Sequence, residues 1–550
     1  MKAKKGERHE AWSSEIENAG SLQAPQSKWK VSKSGDGDTA MALFTNPEDL
    51  HEYVDPKDAR KLLWKIDLMI LPYLAVCYAF FYIDKTTLSY AAIFGIREDL
   101  NLKGTQYSWL SSLFYFGFLV WALPTNFMLQ RYPVGKYLGV NIFMWLVLPL
   151  PLGFFLMLQA ACKNFTTLAV LRTLAGAAEA CSDPGFLLVT SMWYTRKEQP
   201  VRLGLWYTAN GFGIAIGGLL GYGIGSIKGA LPSWKYEFII IGALCCAWGI
   251  VIFLFLPDSP VTAPFLNQRD RRRAVERVRS NQTGIENKKL KPYQIKEAFL
   301  DYKLYLFFLL GVVCNIPNGG ISNFGTIIIQ GFAFSTLVTT LMQIPYGIII
   351  AVSILLCVYL NNKFENRRCL FIILFLLPNI AGAFGLRFLA HDQKAGRLIC
   401  YYLTGPYNAA FVLVLSMQIA NTAGHTKKVV TNAVLFLGYC TGNIAGPFFY
   451  ISEQSPSYPL GIWSMIISHL FEVAVISLLG FLLWRENKRR DDVQSQQEGG
   501  LEGRDLDTTA FSDMTDRENL KYVFRHNYTH PTSQRPNVPF LLTLLIHHGE

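Results

Sequence analysis

The stretch "ILPYLAVCYAFFYIDKTTLSYAAIF", residues 70–94, is long enough to cross a bilayer, yet it carries an acid and a base side by side, Asp84 and Lys85. A charged pair at a membrane surface marks the end of an apolar run. Here the run resumes through Leu88, Ala91, Ala92, Ile93 and Phe94, so the pair lies inside it. Ionisable side chains in a span are costly and are functional candidates by default. Neighbouring residues on a helix point about 100° apart, so Asp84 and Lys85 cannot neutralise one another face to face. Each needs a partner from another span.

Outside this stretch the same pattern recurs. The chain has 550 residues, 51% hydrophobic and 17% charged, and from about residue 66 to 484 apolar runs alternate with short charged or Gly/Pro-rich joints. Runs of roughly 20 residues match a hydrocarbon core of about 30 Å. The fold class is therefore an all-α polytopic membrane protein, with spans expected at 66–94, 107–129, 137–159, 166–188, 203–226, 235–256, 304–330, 337–360, 369–389, 398–420, 429–450 and 462–484. A β-barrel would show segments of about 10 residues with alternating polarity instead. The formal charge of +11 does not point to nucleic acid, because Lys and Arg gather in the joints. The ten cysteines lie in or beside apolar runs without metal-ligand spacing and read as small buried hydrophobes. The first twenty residues lack the apolar core of a cleaved signal peptide.

The joints after spans 2, 4, 8 and 10 are basic, which places both termini in the cytoplasm. The longest joint, 257–303, holds eleven Lys/Arg against five acids from Arg269 to Lys303 and is expected to lie on an anionic leaflet. It divides the chain into a 1–60 tail, a six-span half at 61–256, the linker, a second half at 304–484 and a 485–550 tail. The composition of both tails suggests disorder. "QRYPVGKY" (130–137) and "NKFENRRC" (362–369) occupy matching places in the two halves. This is the pattern of a two-lobed secondary transporter. Arg131, Lys136, Arg367 and Arg368 in these joints are the expected cytoplasmic gate.

Span 4, "LRTLAGAAEACSDPGF" (171–186), is richest in buried charge. Arg172 and Glu179 are seven apart, so they share a face at about 10 Å along the axis. Gly176 between them leaves room for a ligand or another helix. Asp183 extends the stripe but precedes Pro184, where a bend is expected. His469 and Glu472 share a face of span 12 and suit a structural role. Asn210 sits among closely spaced glycines that permit helix contact. Asn315 and Asn318 fall in "NIPNGGISNFG" (315–325), where a helix break is expected. Asn408, Asn432 and Asn443 follow in spans 10 and 11. Taken singly, each Asn reads first as a helix-to-helix hydrogen bond, with a ligand contact as the alternative.

These strings resemble the major facilitator superfamily and, more narrowly, the fungal allantoate permease group of the anion:cation symporters. The likeness rests on "YIDKTTLSYAAIFGIREDL" (82–100), "YSWLSSLFYFGFLVWALPTN" (107–126), "QRYPVGKYLG" (130–139), "TSMWYTRKEQPVRLGLWY" (190–207), "LPDSP" (256–260), "NQTGIENKK" (281–289), "GYCTGNIAGPFF" (438–449) and "SPSYPLGI" (455–462). It implies proton-coupled uptake, across the plasma membrane, of carboxylates such as allantoate, ureidosuccinate, nicotinate or pantothenate. The resemblance also implies an acid–base pair on span 1 and an Arg with a downstream Glu on span 4, matched by Asp84, Lys85, Arg172 and Glu179. Tyr82, Asn210 and Tyr115 would face substrate. Two departures stand out: Gln130 replaces the superfamily's Asp before Arg131, and residues 525–550 are unlike the group and suggest a gene-model extension.

On this reading Asp84 and Glu179 carry the proton, Lys85 and Arg172 hold the anion, and Asn315 and Asn318 contribute from the second half. No cofactor, metal or nucleic acid is expected, and the protein is expected to be a monomer. The rival reading is a transporter-like nutrient receptor, which would need a substantial cytoplasmic domain. An enzyme would need a nucleophile–base or metal-ligand arrangement that the sequence lacks.

Overall fold

The computed structural model describes residues 56–144, 153–195, 198–279, 291–364, 367–497 and 515–518, and every regular element among them is helical. The first half contains α1 (Pro56–Ile93), α2 (Gln106–Arg131), α3 (Val134–Met144), α4 (Gly153–Gln159), α5 (Phe165–Glu179), α6 (Ser182–Trp193), α7 (Gln199–Tyr207), α8 (Ala209–Gly225) and α9 (Ser233–Phe255). The linker holds α10 (Gln268–Arg279) and α11 (Pro292–Phe299). The second half contains α12 (Tyr302–Gln330), α13 (Thr336–Leu341), α14 (Gln343–Lys363), α15 (Arg368–Phe388), α16 (Lys394–Tyr402), α17 (Tyr407–Ala420), α18 (His425–Ala445) and α19 (Pro459–Gln497). Nine of the described helical stretches are long and apolar enough to cross a membrane. Of the three other expected spans, α2 and the α5–α6 stretch cover two, and α3 and α4 lie at the two ends of the third, 137–159. The helix starts follow capping chemistry: Asn164, Asp301 and Ser335 each accept a backbone N–H of the first turn.

Backbone approach, more than side-chain bulk, sets the packing. A Cβ on Gly176 would lie 1.8 Å from the Phe114 carbonyl oxygen, and one on Gly117 equally close to that of Thr173, so α2 and α5 cross with almost no gap. Gly176 therefore admits a helix rather than a ligand. α12 and α18 are joined in the same way through Gly311, Gly319, Gly438, Gly442 and Gly446. Between the halves, Gly211 of α8 and Gly347 of α14 each face the other's carbonyl. Small residues at such crossings let backbones meet where lipid offers no hydrophobic drive.

The break expected at 315–320 is absent: α12 runs through Pro317 as one helix. Its Gly319 packs on the Asn443 backbone and Gly320 on the Tyr450 ring, so these glycines serve packing and not a break. The interruption lies instead in the tenth span, between α16 and α17, where Gly405 and Pro406 precede Tyr407. In the fourth span the helix is interrupted at Ala180 and Cys181, ahead of Pro184, which falls in the first turn of α6. The last helix runs past 484 to Gln497, and Thr515–Glu518 packs against the second half. Residues 525–550 and 281–289 lie outside the described residues.

α1 begins, α2 ends, α19 ends and the linker lies at one end of the bundle, here the basic end; the opposite one is the far end. Gly176→Ala should destabilise the protein by more than about 3 kcal/mol, since the obstructing atoms are backbone. Gly223→Ala, with nothing within 4 Å of the added Cβ, should be neutral. Thermal unfolding of both variants in the same detergent checks the contrast.

Candidate functional site

The halves meet along α1 with α12, α2 with α18 and α8 with α14. Toward the far end the contacts are polar and tight. Ser89 bonds Thr326 at 2.7 Å, the Tyr107 hydroxyl donates to the Asn323 carbonyl at 2.7 Å, and Ser108 and Ser112 donate to the carbonyls of Pro447 and Ile444. Arg97 adds a bond to Ser452. This side is sealed by hydrogen bonds that can be exchanged for water, unlike a fused apolar core.

Two cavities lie beneath the seal. The first is lined by uncharged groups from both halves, among them Thr86, Asn210, Asn318, Gln343, Tyr407 and Asn408. Asn210 donates from its side-chain amide to that of Asn408 at 3.1 Å, while its own Oδ1 has no hydrogen-bond partner among the described residues. The Tyr407 hydroxyl donates to Asn318 at 2.9 Å, and Asn318 donates to Asn443 at 2.9 Å. Asn315 accepts from Asn443 behind this wall at 3.3 Å and holds the network in place instead of facing the space.

The second cavity carries the charge. Lys85, Tyr115, Glu179 and Asp183 line it, and Tyr82 lines both cavities. The Lys85 ammonium lies 5.2 Å from the Tyr82 ring and 5.5 Å from that of Tyr115. Such ring faces attract a cation without neutralising it. Glu179 and Asp183 are the acids that face it. The four residues expected to act together thus divide into two pairs. Asp84 and Arg172 are 1% and 2% exposed and form an ion pair at 4.0 Å behind the cavity wall. Arg172 also lies 5.0 Å from the Phe114 ring, and its Nε and Nη1 have no hydrogen-bond partner. Only the rotation of α1 separates these roles, since Asp84 and Lys85 point about 100° apart.

Two of the expected gate residues, Lys136 and Arg368, make hydrogen bonds on their own side of the chain. The Lys136 ammonium donates to the Phe253 carbonyl and its N–H to Asp258 of the "LPDSP" string, while Arg368 donates to the Ser416 carbonyl. Arg131 and Arg367 are exposed. His469 and Glu472 are buried and pair at 3.2 Å, with the Cys314 thiol donating to Glu472. Sequence reasoning missed Gln343, Tyr346, Tyr401 and Tyr407 as cavity groups. Of these, Tyr407 had a signal in the preceding Gly405-Pro406. The others read as ordinary aromatic or amide residues of apolar runs.

Arg172→Met should cost about 3–5 kcal/mol, because it leaves the Asp84 carboxylate buried without a cation. Adding Asp84→Asn should recover a large part of that loss, as read by a double-mutant cycle in thermal or denaturant unfolding. Additive losses would mean that the two side chains do not interact.

Three comparisons bear on this arrangement. Residues 74–449 match the family model described as Major Facilitator Superfamily. An uncharacterized transporter of Schizosaccharomyces pombe is 37% identical, covering 90% of this chain and 91% of its own. The allantoate permease of Saccharomyces cerevisiae is 36% identical over 88% of this chain and 90% of its own, and that yeast's thiamine pathway transporter THI73 is 32% identical over 87% and 89%. Among solved structures, an inward-facing bacterial homolog of the human lysosomal transporter Spinster aligns with TM-score 0.55 at 14% identity, covering 75% of this chain and 96% of that one. The partially occluded, inward-open xylose transporter XylE from E. coli aligns with TM-score 0.54 at 13% identity, covering 74% and 97%. At such identities the structural likeness speaks to fold.

Proposed function

The chain belongs to the major facilitator superfamily and is a membrane transporter, and from that premise we propose that it takes up a small organic carboxylate together with protons, by alternating access. The observation that carries this reading is Lys85: a cation in an interlobe cavity, faced by Glu179 and Asp183 and flanked by two tyrosine rings. One relative bears the name allantoate permease, and allantoate is a carboxylate.

Charge balance gives the coupling its sign. With Glu179 and Asp183 ionised, Lys85 is already compensated and an arriving anion meets excess negative charge. A proton on Glu179 removes that excess, so the substrate carboxylate shares Lys85 with Asp183 alone. Proton and anion then favour each other's binding, with a coupling typically of about 1–3 kcal/mol. Asp84 is the second proton carrier and, while ionised, holds Arg172, whose unfilled donors give the site a second source of positive potential. The uncharged cavity beside it suits the hydrogen-bonding body of the substrate, with Tyr82 between head and body. The hydrogen-bonded seal at the far end corresponds to a state closed to the outside, the basic end being cytoplasmic by its charge. A plasma-membrane monomer with no cofactor beyond the coupling proton completes the reading.

The test is uptake of labelled carboxylates into cells lacking their own permeases, with competition across a panel. Lys85→Met should abolish anion uptake, whereas Lys85→Arg should keep a measurable part of it; unchanged uptake in Lys85→Met removes the assignment. Glu179→Gln should keep substrate exchange but lose accumulation driven by a pH gradient. Asp84→Asn should do the same with a weaker apparent affinity, since Arg172 loses its anchor. Full pH-driven accumulation in both acid variants would move the proton site elsewhere.

A further inference from the structure

The linker's two helices are fixed to different halves. α10 is tied to the first half, through Asp270 to Lys65 at 2.8 Å, Arg273 to Asp58 at 3.4 Å and Arg277 to Glu198 at 3.6 Å. α11 is tied to the second half: Glu297 pairs with Lys427 at 2.9 Å, and Gln294 accepts the backbone N–H groups of Thr426 and Lys427. A third partner lies across this second attachment. Thr515–Glu518, "TDRE", comes from the C-terminal tail, beyond the end of α19.

The tail segment is a fitted part. Thr515 and Glu518 close a reciprocal capping box: the Thr515 N–H donates to the Glu518 carboxylate at 2.8 Å, and the Glu518 N–H to the Thr515 hydroxyl at 3.2 Å. That hydroxyl donates to Glu297 of α11 at 2.9 Å. Asp516 pairs with Lys427 at 2.9 Å and with Lys303, accepts the Ala423 N–H, and has its carbonyl held by Arg490 of α19 at 2.8 Å. Arg517 donates to the Leu300 carbonyl at 2.9 Å. Thr515 and Asp516 are 0% and 1% exposed. The Thr515 methyl rests against Gly424, whose φ of +89° already favours glycine.

Four residues thus join α11, α12, α18 and α19. The receptor, however, is balanced without them. Lys427 keeps Glu297 and Asp301, and Lys303 keeps Asp301 and the Asn421 carbonyl. Removing the tail strands no buried lysine, whereas stranding one would cost about 3–5 kcal/mol. We propose that Thr515–Glu518 is a detachable clasp that, when docked, locks the linker helix α11 onto the second half and so fixes the length of chain tethering the two halves at the basic end. With α11 held, residues 280–290 are all that separate the two anchors, a reach of at most about 40 Å at full extension. With α11 released, the next fixed point is α12 and the tether roughly doubles. The clasp therefore limits how far the halves can part at that end. Burial raises the Asp516 carboxyl, but Lys303 and Lys427 outweigh it and hold it below the usual carboxylate range. An added negative charge on Thr515 would release the clasp, because it would face Glu297.

Hydrogen exchange on the full chain in lipid nanodiscs tests this. In the unaltered protein residues 515–518 should be protected. Thr515→Glu and Asp516→Lys should each remove that protection and speed exchange in α11 about tenfold or more, leaving α10 unchanged. A labelled peptide, FSDMTDRENLKY (residues 511–522), should then bind the Asp516→Lys chain and restore α11 protection, while the same peptide carrying Asn for Asp516 should not. Unprotected 515–518 in the unaltered chain overturns docking. Loss of tail protection with α11 exchange unchanged overturns the clasp's role, as does a peptide that binds without restoring α11. None of these outcomes depends on which substrate is carried or on proton coupling.

Discussion

A charge placed between membrane-spanning helices has no water to turn to, so every ionisable group must be met by a helix that brings the right partner to the right depth. In the first half that requirement fixes α1 against α5. Asp84 and Arg172 are both almost wholly enclosed and lie 4.0 Å apart, close enough to compensate and too loosely held to use all of Arg172's donors. Because Asp84 is committed to this pair, its neighbour Lys85 is turned onto another face. There it meets Glu179, which lies on the same helix as Arg172, about two turns further along it. A structural ion pair and a cavity with an accessible cation are thus two consequences of one adjacent acid and base.

Glycine makes the arrangement geometrically possible. α2 can approach α5 closely enough to shield Arg172 with the Phe114 ring only because Gly117 and Gly176 carry no Cβ. The same device seats α12 on α18 and thereby positions Asn318 and Asn443 within hydrogen-bond distance. Packing and chemistry are joined here: a helix displaced by one methyl group would move the amides that line the cavity. Across the halves, Gly211 and Gly347 hold α8 to α14, while the far-end contacts are hydroxyl-to-carbonyl bonds that exchange readily. A persistent contact beside replaceable ones is what an element that rocks about a fixed line requires.

Much of this was legible in the residues. The twelve spans follow from apolar length, and the structure's helices fall on them, because hydrophobic thickness is a demand each segment meets by itself. Asp84, Lys85, Arg172 and Glu179 stood out because charge is rare inside spans. Other features depend on neighbours. Gly319 and Gly320 read as breakers in isolation, yet beside α18 and Tyr450 they are contact points and α12 stays whole. Thr515 and Asp516 read as part of a polar tail, since nothing local reveals that Lys303, Lys427 and Glu297 gather opposite them.

The sequence by itself determined how many times the chain crosses the membrane, in what order, and which residues are too costly to be buried without purpose. Those are properties of composition along a line. Only the tertiary structure decided which of those residues pair and which face the cavity, because that turns on helix rotation in steps of about 100° and on the depth at which each helix is interrupted. Lys85 lines the cavity and Arg172 stands behind it; both are cations in spans, and no local pattern tells them apart.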